Sequence, residues 1–88
     1  WKLHKKMKMN IVVPVGEVHF AFIDDYGGIR QETLGFNNYA RLFVPSGIWF
    51  GFQGVSKTVS TLLNIANIVH LPEETDRKTL DSIKYNWR

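Results

Sequence analysis

The 88-residue chain has no cysteine, a formal net charge of +3 and 44% hydrophobic residues. Without cysteine it can form no disulfide to brace a small core, which suits a reducing, cytoplasmic setting. No apolar run approaches the ~18 residues of a membrane helix. The length allows a single domain, residues 1–88, with a modest core, and no membrane partner is expected.

In chain order, the first feature is a basic cluster. Lys2, Lys5, Lys6 and Lys8 carry more positive charge than the net balance of the whole chain. Such a cluster can meet phosphate or nucleic acid, but lysines also line solvated strand edges and discourage strand-to-strand association. The edge reading is preferred, because a binder of single strands interleaves basic and aromatic residues and these lysines precede the aromatic strands. No nucleic-acid partner is expected. The opening WKLHKKMK has no apolar stretch or small-residue cleavage site of a secretory signal. Since the chain starts on Trp1, a sequence lacking upstream strands is expected.

Strand signals follow almost without interruption. Residues 9–15 are rich in Ile and Val, Gly16 breaks the run, and EVHFAFID alternates Val18, Phe20 and Phe22 with His19, Ala21 and Ile23; the two stretches read as a hairpin. DDYGGIR is a turn, in which Asp24 and Asp25 act as loop residues. Weaker or shorter strands are predicted at 31–36, 41–44, 48–52 and 57–65, separated by Asn37-Asn38, Pro45-Ser46-Gly47 and Gly54. The stretch 72–84 is a short helix or an ordered loop, since its PEETDR start sets proline and acids in a first turn. Short strands punctuated by Gly and Pro indicate an all-β antiparallel sandwich or barrel.

Chemistry-bearing residues are sparse. The histidines are His4, His19 and His70. With no HxH pair and no HExxH helix, no metal site or cofactor is expected. Neither a GxSxG elbow nor a phosphate-cradling glycine loop is present. His19, on a strand face with Ala21 and Ile23, reads as a hydrogen-bonded structural histidine.

Four phrases, in order, resemble the dTDP-4-dehydrorhamnose 3,5-epimerase family of small cupins. VPSGIWFGF resembles its PxGxxHGF, and WKLH resembles its RGLH strand. VPVGEVHFAFIDD resembles its GxVxDVxVD hairpin, and LPEETDRKTLDSIKYNW resembles its closing P..E...W.D....I.W. The resemblance implies a cupin-type antiparallel jelly-roll barrel, here possibly partial, usually assembled as a homodimer. It implies metal-independent epimerisation or isomerisation of a keto-sugar on a nucleoside diphosphate, as in polysaccharide biosynthesis. In that mechanism a histidine held by an aspartate removes a proton beside the ketone, and a tyrosine returns one on the opposite face. Imidazole suits the task because it ordinarily titrates near neutrality and a carboxylate partner fixes its tautomer.

Carried over residue by residue, His4 matches the base and Asp81 the orienting acid. Departures are equally specific. Phe50 stands at the histidine of PxGxxHGF, Trp1 at the arginine of RGLH, and Met9 at an expected lysine, with Lys8 adjacent. The tyrosine position falls on Leu63 or Asn64, depending on the end from which it is counted. The substrate-binding candidates are Phe50, Trp49, Asn64 and His70; an inward Phe50 offers a surface for stacking against a ring, and the alternative is that Phe50 and Phe52 are simply core. Three functions follow: a sugar-nucleotide epimerase or isomerase, a cupin that binds a sugar or nucleotide without turnover, and a structural or dimerising module.

Overall fold

The computed structural model describes residues 1–24, 26–68 and 71–87. Among the described residues, eight strands run in chain order: β1 (Lys2–His4), β2 (Met9–Val15), β3 (Glu17–Ile23), β4 (Ile29–Gly35), β5 (Leu42–Val44), β6 (Trp49–Gly54), β7 (Thr61–Ala66) and β8 (Thr75–Arg77). They pair antiparallel into a five-stranded sheet, β4-β3-β6-β1-β8, and a three-stranded sheet, β5-β2-β7.

Alternation along each strand decides what lies between the sheets. Met9, Ile11 and Val13 project inward from β2, and Val18 and Phe20 from β3, meeting Leu34, Val44 and Phe50 in one buried cluster. Phe20 is completely buried, and its ring lies parallel to Phe22, 6.3 Å away.

β2 and β3 do not form the expected hairpin. β2 pairs with β5 and β7, whereas β3 pairs with β4 and β6. At Gly16, with φ of 78°, the chain passes from one sheet to the other, a conformation that side-chain-bearing residues rarely adopt. Ser60 then clasps the corner, receiving the Glu17 amide and donating to the Glu17 carbonyl. Ile and Val content marked the first strand and alternation the second, but neither says which sheet each would join. A register shift between Val12 and Val15 accommodates Pro14, which has no N–H to give to a ladder.

The basic N-terminal stretch is not a sheet edge either. β1 lies inside the five-stranded sheet, between β6 and β8, because the segment read as helix or loop supplies a strand of its own. Residues 72–84 contain no α-helix, only 3-10 turns at Pro72–Glu74 and Leu80–Ser82 around β8. The ladder captures this backbone: the Lys5 amide donates to the Glu74 carbonyl, and the Lys78 amide to the Trp1 carbonyl.

Beyond β8 the chain crosses the outer face of the same sheet. Trp1 donates its indole N–H to the Leu80 carbonyl, and its ring packs against Tyr85 and Trp87. His19 takes a structural place, bonded to Thr33 and to the Tyr85 hydroxyl, which donates onward to Gln31. Trp87 lies so close over Gly51 that a Cβ there would come within 2.9 Å of the ring.

Among the described residues, no helix is long and apolar enough to cross a membrane. Phe20→Ala should cost about 3–5 kcal/mol in denaturant unfolding, whereas Tyr26→Ser, at a 98% exposed loop position, should change stability by no more than about 0.5 kcal/mol.

Candidate functional site

Strand periodicity places Lys2 and His4 on the same, inward face of β1, with Leu3 opposite. His4 is buried beside Phe50, their rings stacked at 5.8 Å. The end of β1 is pinned from the Pro45-Ser46-Gly47 turn, where the Gly47 amide donates to the His4 carbonyl at 2.7 Å. Gly47 has φ of 80°, so the turn that survives from the cupin phrase also positions the histidine.

The partner of His4 is Glu74. Its Oε1 lies 2.5 Å from His4 Nδ1 and accepts the Thr75 hydroxyl at 3.0 Å. Its Oε2 accepts the amides of Lys6 at 3.0 Å and Met7 at 3.1 Å. Register explains the meeting: His4 lies directly across from Thr75, and Glu74 occupies the bend just before that pair.

Burial alone would raise the Glu74 carboxyl. Hydrogen bonds from His4, from the Lys6 and Met7 amides and from Thr75 outweigh it and hold the group at about 2, below its ordinary 4.5. The carboxylate is therefore ionised near neutrality and can only accept. In the neutral imidazole Nδ1 must then carry the proton, leaving the Nε2 lone pair available. Among the described residues Nε2 has no hydrogen-bond partner.

Two adjoining cavities open beside this ring. One, about 130 Å³, is lined by Met9, Ile11, Phe50, Phe52 and Leu62 together with Lys2, His4 and Asn64. The other, about 300 Å³, shares Lys2, His4 and Asn64 and adds Met7, Ala66, Ile68, Thr75 and Arg77. The space is thus aromatic and apolar at one end and cationic at the other, with His4 at the junction.

Of the sequence-derived candidates, the structure brings together His4, Phe50 and Asn64. Asp81 is not with them: it sits exposed in the second 3-10 turn and accepts the Thr79 hydroxyl at 2.7 Å. The acid paired with His4 is seven positions earlier, in the 3-10 turn that leads into β8, because the ladder sets His4 against Thr75. Trp49 is also excluded from the cavity. It alternates with Phe50 and faces the other side of β6, under the Lys78 amine at 4.4 Å. His70 lies outside the described residues. Among the described residues, no three His, Asp or Glu side chains gather as a metal cluster would require.

Sequence reasoning missed Glu74, Lys2, Phe52 and Arg77 as site residues. A usable signal existed for Lys2 and Phe52, since each stands two positions from an assigned inward residue on a strand. Nothing local marks Glu74 or Arg77, which reach the site only through pairing with β1.

No protein-family model matches the chain, and no curated protein matches it. Among solved structures it superimposes on the crystal structure of a dTDP sugar isomerase from Desulfovibrio desulfuricans G20, with a TM-score of 0.92 and 32% sequence identity. The fold is a cupin-type jelly roll. The alignment covers 99% of this chain and 61% of that one, so the chain spans about three-fifths of the length of the isomerase.

Ionised Glu74 carries a testable pH signature. Because its folded-state value lies below its unfolded one, the stabilisation is fully present above about 4.5 and is lost as pH falls towards about 2. Thermal melts of wild type and Glu74→Gln should differ most above pH 5 and converge between those two values.

Proposed function

We propose that this chain is a sugar-nucleotide isomerase or epimerase of the cupin type, resembling the dTDP-4-dehydrorhamnose 3,5-epimerases, with His4 as its base and Glu74 as the orienting acid. The observation that carries the reading is the buried His4–Glu74 pair at the junction of an apolar and a cationic cavity. The likeness to a dTDP sugar isomerase supplies the substrate class.

In this reading a 4-keto sugar lies against Phe50 and Phe52 with its acidic C–H towards His4 Nε2. The C–H bond breaks, the proton passes to Nε2, and the electron pair moves into the carbonyl to give an enolate. Glu74 holds the resulting imidazolium, and collapse of the enolate with return of a proton completes the cycle. A cytoplasmic homodimer belongs to the same reading. The cysteine-free sequence suits a reducing compartment, and Phe43 and Ile65 flank Asn10 on the outer face of the three-stranded sheet, both more than half exposed.

One observation favours a second reading, binding without turnover. Asn64 stands in the cavity wall at a position where the family alignment can place its tyrosine, and an amide cannot protonate an enolate.

The two separate in deuterium oxide with a dTDP-linked 4-keto-6-deoxyhexose, followed by proton NMR. Catalysis predicts wash-in of deuterium beside the ketone, slowed by roughly 10²–10⁴-fold in His4→Ala. Glu74→Gln should also slow it strongly, because a side-chain amide can donate to Nδ1 and reverse the tautomer, while Asp81→Asn should have no effect. Saturable binding with no exchange in wild type would replace the isomerase reading with the second one.

A further inference from the structure

We propose that Lys2 and Arg77 form a phosphate-binding pair at the cationic end of the cavity and hold the diphosphate of the ligand beside His4. The proposal deepens the reading above and rests on it for the sugar attached to the phosphates, but not for the phosphates themselves.

The argument starts from register. Lys2 on β1 and Arg77 on β8 are directly opposite partners in an antiparallel ladder, and both line the cavity of about 300 Å³. Like charges at directly opposed positions destabilise a sheet. A carboxylate nearby would relieve that repulsion. Among the described residues, however, the ion pairs are His4–Glu74 and Lys5–Asp76, and neither involves Lys2 or Arg77.

Alternation explains why. Asp76, between Thr75 and Arg77, points to the other face of β8, where it meets the Lys5 amine at 3.4 Å. Glu74 already accepts four hydrogen bonds. Two cations therefore face one cavity with no counter-charge from the described chain, and an anionic ligand supplies what the fold omits.

The chemistry points to phosphate oxygens. A guanidinium offers a planar fork matched to phosphate, and an ammonium adds a compact point charge beside it. Two cations side by side suit two linked phosphates. The apolar end of the space, lined by Phe50, Phe52 and Leu62, remains for the ring they carry. Trp1, at the place of the family's arginine, packs its ring on the opposite face of the sheet against Trp87, so the charge at this site comes from different positions of the chain.

Titration calorimetry on the whole chain with inorganic phosphate, pyrophosphate, dTDP and thymidine tests this. Pyrophosphate and dTDP should bind, phosphate more weakly and thymidine least. Lys2→Met and Arg77→Met should each weaken pyrophosphate and dTDP binding about 10- to 100-fold. Lys2→Arg should retain binding, and Lys5→Met, which removes an equal charge already paired with Asp76, should match wild type. If Lys2→Met does not fold, Arg77→Met on the outermost strand carries the test.

Absence of saturable pyrophosphate and dTDP binding in wild type would overturn the proposal. So would losses in the Lys2 and Arg77 variants no greater than in Lys5→Met. Phosphate binding as tightly as pyrophosphate would overturn the diphosphate assignment. Pyrophosphate binding that needs both residues, in a chain showing no deuterium wash-in, would leave this site standing and remove only the isomerase reading.

Discussion

A carboxylate removed from water must have its lone pairs met by donors, or it takes up a proton instead. Glu74 meets that requirement with a side chain from β1, a hydroxyl from β8 and the amides of Lys6 and Met7. A single group thereby ties the end of one strand, the turn after it and the start of another. The rest of the site follows from this cage, since it keeps His4 in one orientation and one tautomer.

The two faces of the five-stranded sheet divide the remaining work. Inward, Phe20, Phe22, Phe50 and Phe52 build an aromatic wall that passes from core into cavity. Outward, Trp1, Tyr85 and Trp87 clasp the closing segment over Gly51 and His19. The outer clasp helps the inner site, because the bonds joining Trp1 to Lys78 and Leu80 hold β8 beside β1. That pairing places Thr75 against His4 and Arg77 against Lys2.

How far the sequence reveals this depends on the range of each interaction. β2 is legible from its Ile and Val, β3 from alternation along its seven residues, and β6 from the bulky apolar residues that follow the Pro45-Ser46-Gly47 turn. β1 and β8 have three residues each, too few for a period; the lysines and the resemblance of WKLH to a family phrase pointed to a strand at β1, but nothing pointed to its central place in the sheet. His4 was reached by that phrase. Glu74 was not, since the His4–Glu74 contact spans 70 positions and proline followed by acids also describes a helical first turn. Asp81 was reached by position in the closing family phrase, which carries no information about which carboxylate the β1–β8 ladder sets against His4. Trp49 was misplaced for a different reason: it adjoins Phe50, and adjacent strand residues cannot share a face.

The isomerase reading depends on which nitrogen of neutral His4 is protonated. Long-range proton–nitrogen correlation NMR of the whole chain, with imidazole nitrogens labelled, reads this directly. The account predicts that neutral His4 carries its proton on Nδ1 in wild type and shifts it towards Nε2 in Glu74→Gln. A wild-type ring protonated on Nε2 would mean that no base faces the cavity, contradicting the account.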